Sequence, residues 1–305
     1  MVRLGHPVGA TSGAVALGLL ADLALGDPPS SWHPVAWFGA AMSAVEQRAY
    51  RDSAVAGAVY AVTGLTIARM AAAACPSTFA GTTVCSAGRG LMRSAHDIER
   101  RLAVGDLPAA RALLPALAGR DPSHLDESGV ARAVVESVAE NTVDAIVAPA
   151  WWASVGGTRA VFAHRALNTM DAMVGHRSPR YLRFGCPAAR LDDVAAWIPA
   201  RLTALLVAAV RPAAASRIVD AVRRQAPAHP SPNAGVAEAA YAAALGVHLG
   251  GTNVYEGVVD ERPILGAGPA PAVRDIRRAT ALCRDVTLAL VALLAASAVA
   301  VRRSR

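Results

Sequence analysis

The 305-residue chain contains no lysine; all 30 of its basic Lys/Arg positions are arginine. That excludes an internal Schiff base and a P-loop lysine on a nucleotide phosphate. Any phosphate bound here must meet Arg side chains, backbone N–H groups, helix N-termini or a metal. Charge of either sign is scarce. Charged residues make up 17% and apolar residues 54% of the chain, against about 25% charged in soluble domains, and the mean hydropathy is +0.34. Aromatics are only 5%, so the apolar content is mostly Ala, Val and Leu, which suits closely packed helices. Cys75, Cys85, Cys186 and Cys283 form no CxxC pair and no disulfide-like spacing, and they read as core thiols in a reducing compartment. HExxH, GxSxG, Walker A and a strand-following GxGxxG are all missing, as are internal repeats and any alternating strand pattern. The net charge of +7 raises the question of nucleic acid. However, the arginines are dispersed and their stretches lack aromatic interleaving, so no nucleic-acid partner is expected.

What is present is a series of apolar segments near residues 8–21, 54–68, 70–87, 145–163, 194–210 and 282–301. None is a clean 20-residue span, the length that about 30 Å of hydrocarbon requires at about 1.5 Å per residue. Val286 to Val301 must recruit Leu282 and Cys283, with Arg284 snorkelling. The 145–163 segment contains Pro149, Gly156–Gly157 and Arg159 and reads as a broken or re-entrant helix. Between these lie a polar section with helical period at 89–140 and a polar, loop-rich section at 211–280, within which Val236 to Leu249 reads as a helix. The expectation is one domain over 1–305 of the all-α class: a polytopic helical membrane protein with polar cytoplasmic helices and loops. The Arg-rich polar section and the basic tail after Val301 place the polar side, with the active site, in the cytoplasm. Asp22 and Asp27 follow the first apolar run without a clear cleavage site, which argues against a secretory signal peptide.

Chemistry concentrates in a few stretches. Glu136, Glu140 and Asp144 are spaced i, i+4, i+8 and on one helix would share a face. Like charges so placed repel, and Mg²⁺ shared between carboxylates and substrate phosphates would offset that; a solvated acidic face is the alternative. These acids run directly into an apolar segment, where ionisable groups point to function. A second stretch carries Asn168 and Asp171, with His164 one turn earlier, then Arg177 and Arg190, which suit bidentate phosphate binding. Asp192 and Asp193 fit either a second metal position or a helix cap. Asp27-Pro28 with His33–Pro34 reads as a rigid turn. His229, Ser231 and Asn233 sit in a Pro-braced loop before a helix, an anion-friendly position.

Taken in order, Gly26 to Pro28 with His33–Pro34, Gly119-Arg120-Asp121, Glu136 to Asn141, Asn168 to Arg177, Ala189 to Asp193, Pro199-Ala200-Arg201 and His229 to Gly235 resemble the CobD/CbiB family of adenosylcobinamide-phosphate synthases. The resemblance runs from about residue 15 to Gly266. Val236, Ala172, His176, Val143 and Ala145 depart from its usual Trp, Ser, Tyr, Ser and Gly. It implies an enzyme, a carbon–nitrogen ligase of the cell membrane in late cobalamin biosynthesis. The implied reaction joins aminopropanol or its O-phosphate to adenosylcobyric acid, with ATP and Mg²⁺. Membrane lipid and neighbouring pathway enzymes are the implied partners. Under this resemblance Glu136, Glu140, Asp144 and Asp192 would hold metal. Asp27, His33, Arg120, Asn141, Asn168, Arg177, Arg190, Ser231 and Asn233 would contact substrate or phosphate. Glu140, Asp171 and His229 would be catalytic, with Asp171 or His229 as the base that deprotonates the amine. A corrinoid permease or a scaffold for pathway intermediates is the competing class.

Overall fold

A computed structural model describes residues 8–26, 32–176, 178–255 and 258–304. In chain order the helices are α1 (Val8–Leu25), α2 (Pro34–Ala49), α3 (Ala54–Ala74), α4 (Thr78–Cys85), α5 (Gly88–Ala103), α6 (Leu107–Leu113), α7 (Glu127–Thr142), α8 (Ala148–Val174), α9 (Cys186–Val210), α10 (Ala215–Arg224), α11 (Ala234–Leu245) and α12 (Val273–Arg303). Between α11 and α12 lie strands β1 (Leu249–Tyr255) and β2 (Val258–Leu265). The protein is thus helical as expected, and α3, α9 and α12 are long and apolar enough to cross a membrane. The described residues form two compact units, one drawn from Met1–Ala87, Asp144–Ala196 and Leu290–Arg305, the other from Gly88–Val143 and Trp197–Ala289.

In the first unit α1, α2, α3 and α4 all pack on α8. Its core gathers Met42, Tyr60, Met170, Val174, Phe184 and Ala188. Small residues let the backbones approach: a Cβ on Gly57 of α3 would collide with the carbonyl of Phe184. Gly57→Ala therefore overpacks a backbone contact and should cost about 1–3 kcal/mol, read as a lower unfolding midpoint in detergent; an unchanged midpoint would show that the helices can separate freely. The segment after α8 is pinned to α2. Tyr50 Oη donates to the Arg180 carbonyl at 2.7 Å, the Arg180 guanidinium lies 4.1 Å from the Tyr50 ring centroid, and Glu46 accepts from Arg180 and Tyr181.

Three apolar segments differ in detail from their sequence reading. The 54–68 segment does not stop at Arg69: α3 continues to Ala74 and yields only before Pro76, leaving α4 with 8 residues, too few to span. The 145–163 segment is broken as expected, at Gly157, whose φ of 63° and ψ of −153° suit a residue without a Cβ. The last segment belongs to a 31-residue helix, α12, roughly 46 Å long at about 1.5 Å per residue. Within α9, Pro199 has no N–H to give the Ala195 carbonyl one turn back, and Trp152 Nε1 donates to that oxygen instead, at 3.0 Å.

In the second unit α7 packs against α5, α6, α11 and β1, and α10 against α11. Asp106 caps α6 through Ala109 N, and Asp126 caps α7 through Gly129 N at 2.7 Å. The helix expected to reach Leu249 ends at Leu245, where Gly246 turns left-handed with φ 70°. The chain then enters an antiparallel hairpin, with a register irregularity between Leu249 and Gly251. Among the described residues this hairpin is the β-structure that the all-α reading left out. Its Thr252, Val254, Tyr255, Val258 and Val259 are strand formers interrupted by glycine and proline, so no clean alternation betrays them.

Candidate functional site

Helix α7 lies against β1, and that packing turns Glu136 inward. The residue is 3% exposed. Arg120 Nη2 pairs with its Oε2 at 2.5 Å, and the Gly250 amide of β1 donates to its Oε1 at 2.7 Å. One turn later Glu140 is exposed, so the acidic face passes from a buried ion pair to open solvent. Nearby, Ser137 Oγ donates to the Leu117 carbonyl, and Asn141 Nδ2 turns back on Ser137. Asn141 thus spends its amide within its own helix. The α-helical pattern gives way to a π-helical turn over Val143–Val147, and Asp144 belongs to the first unit.

The loop before α11 brings its polar residues to the same unit. Ser231 Oγ, rather than the Asn233 side chain, accepts from the amides of Asn233 and Ala234. The Asn233 amide oxygen accepts from Arg201 Nη1 at 2.9 Å, so Asn233 and two of the N–H groups at this helix entrance meet the protein's own groups. His229 is buried, its Nε2 2.9 Å from Arg262 Nη1 and 3.8 Å from Glu238 Oε2. Nδ1 lies 3.1 Å from both the amide nitrogen and the carbonyl oxygen of Ser231; a guanidinium only donates, so in the tautomer that satisfies Arg262 Nε2 accepts and Nδ1 gives its hydrogen to the carbonyl. Glu238 lies in α11, and burial pushes its pKa well above the usual carboxylate range; Glu136 and Glu140 add to the rise while Arg120 and Arg262 oppose it. Three glutamates, two arginines and a histidine thus share one electrostatic neighbourhood. Glu238 and Arg262 were not singled out from sequence. The signal was a lone Glu in the otherwise apolar run Ala234–Leu245, where burial demands partners.

The first unit holds the second group. Asn168 on α8 accepts from Arg165, and Asp171 is pushed up to about 6 by burial and then by Asp193 of α9. His164 is 2% exposed, Asp192 8% exposed, and Arg190 exposed. Since α9 begins at Cys186, Asp192 and Asp193 lie inside it and cap nothing. His33 caps α2, with its Nδ1 accepting from Val35 N. Asp27 and Arg177 lie outside the described residues. Folded Asp171 binds its proton more tightly than the unfolded chain does. Its contribution therefore makes stability fall as pH rises from about 4 through about 6. Asp171→Asn should flatten that slope in melting temperatures measured from pH 4 to 8; an unaltered slope would place the titration elsewhere.

Among the described residues no group of three or more His, Cys, Asp or Glu side chains is arranged to hold a metal ion. Both oxygens of Glu136 already face donors, Arg120 and the Gly250 amide, which suits an ion-pair partner and not a ready Mg²⁺ ligand.

These features define a helical protein with, among the described residues, three helices fit to cross a membrane and a largely buried carboxylate–arginine–imidazole cluster. The chain belongs to the CobD/CbiB family: the model described as CobD/Cbib protein matches residues 15–283. It is 47% identical to the cobalamin biosynthesis protein CobD of Mycobacterium tuberculosis over 285 residues, 89% of this chain and 91% of that protein. It is 41% identical to the protein of the same name from Rhodobacter capsulatus over 290 residues, 88% and 91% of the two chains. No solved structure matches it.

Proposed function

We propose that this protein acts in cobalamin biosynthesis as an ATP-dependent ligase of the cell membrane, joining aminopropanol or its O-phosphate to the propionate of adenosylcobyric acid. The relatives named as cobalamin biosynthesis proteins support the pathway. The observation that carries the chemistry is the gathering of Arg120, Glu136, Glu140, His229, Glu238 and Arg262 in one unit.

A free carboxylate and an amine do not form an amide at useful rates. The corrin propionate would first attack the γ-phosphorus of ATP, releasing ADP and leaving an acyl phosphate; the amine would then attack the acyl carbon, and phosphate would depart. Arg262, half-buried on β2, supplies planar donors for phosphate oxygens. Glu140, exposed beside the buried ion pair, attracts the substrate's cationic end. The amine must lose a proton to attack, and His229 or Asp171 accepts it. The deciding experiment is mass spectrometry of products from purified protein given adenosylcobyric acid, Mg-ATP and each amine in turn. An amide product carries the reading; its absence, with corrinoid moved intact into vesicles, would replace it with transport.

A further inference from the structure

Among the described contacts, Nε2 of His229 faces two groups of opposite kind: Arg262 Nη1 at 2.9 Å, which only donates, and the Glu238 carboxyl, with Oε2 at 3.8 Å. Nδ1 is committed to Ser231 in the Pro-braced loop. Gly235 lies so close beneath the ring that a Cβ there would collide with Cβ and Cγ of His229. The ring is therefore held in place, and what can change is the partner of Nε2. With Arg262 on it, the lone pair is occupied and the imidazole is blocked as a base.

We propose that Arg262 gates His229: a phosphate or polyphosphate group of the substrate draws the guanidinium off Nε2 and turns the imidazole into a proton acceptor backed by Glu238. An N–H bond of the substrate ammonium then breaks, Nε2–H forms, and the electron pair stays on the amine nitrogen. The imidazolium takes the place of the departing guanidinium beside Glu238, so one cation faces that carboxyl in both states. The other charged groups around it, Glu136, Glu140 and Arg120, remain as they are. Arg262 and Gly235 are positioning residues in this scheme, acting through the imidazole. Only the need to deprotonate an amine is taken from the ligase reading.

The gate can be read without turnover. The full chain, labelled with ¹⁵N-histidine and held in lipid nanodiscs, is titrated by NMR with and without inorganic pyrophosphate at constant ionic strength. The His229 signal is identified by its loss in His229→Gln. Pyrophosphate should raise the protonation midpoint of His229 by about one pH unit or more, because a nearby cation leaves and a carboxyl remains. Arg262→Met should produce a similar rise without pyrophosphate and remove the response to it. A midpoint indifferent to pyrophosphate in the unsubstituted protein overturns the gate, as does an undiminished response in a folded Arg262→Met. The unsubstituted titration decides the matter even where Arg262→Met fails to fold. Repeating it with ADP and with aminopropanol phosphate separates nucleotide from amine as the source of the anion. A shift in a protein that makes no amide keeps the gate and removes the ligase reading; amide formation without a shift does the reverse.

Discussion

Glu136→Leu should be among the most damaging single substitutions in the second unit, costing about 3–5 kcal/mol. Arg120 and Glu136 are 9% and 4% exposed at their side chains. Removing the carboxylate leaves a guanidinium buried without its partner, and the penalty is that stranded charge more than the lost attraction. The companion experiment makes the claim specific. Arg120→Met combined with Glu136→Leu removes both charges and should recover much of the loss. A residue of about 1–3 kcal/mol should persist, because the Gly250 amide still lacks its acceptor. Denaturant unfolding in detergent reads both numbers. A single substitution costing under about 1 kcal/mol would mean the pair is wetter than its burial indicates. Ligation should be absent from both variants, separating the role of the pair in folding from its role in the site.

Glu140→Gln should behave in the opposite way. The side chain is exposed, so stability should stay within about 0.5 kcal/mol of the unsubstituted protein. Turnover should fall about 100-fold or more if Glu140 handles the substrate's charged end. Product formation followed by mass spectrometry, beside an unfolding curve on the same preparation, gives both readings. Near-normal turnover would take Glu140 out of the mechanism and leave Glu136 as a purely architectural acid.

Much of the helical frame was legible because its signals are local. Asp106 and Asp126 announce their helices by capping, Pro76 lies just past the end of α3, and Gly157 breaks α8 within the segment expected to be broken. The hairpin escaped because its strands carry Gly250, Gly251 and Pro263, and the Gly250 amide at its irregularity bonds to Glu136, far off in sequence. The site divided along the same line. Glu136, Glu140 and His229 stand in polar stretches that drew attention by themselves, and Arg120 entered through the family resemblance. Glu238 and Arg262 stand alone in sequence, and only the packing of α11 and β2 brings them to His229. The common helical face expected for Glu136, Glu140 and Asp144 assumes one unbroken period, whereas the backbone widens into a π-helical turn from Val143, between Glu140 and Asp144.

The indole of Trp152 behaves as a borrowed piece of main chain. A proline in the middle of an apolar helix leaves one carbonyl bare, and in hydrocarbon no water is at hand to cover it. Here the missing rung is supplied from α8. Trp152 and Pro199 are thereby bound as a pair, since exchanging the tryptophan alone exposes an oxygen to oil, while restoring an N–H at Pro199 leaves the indole without an errand.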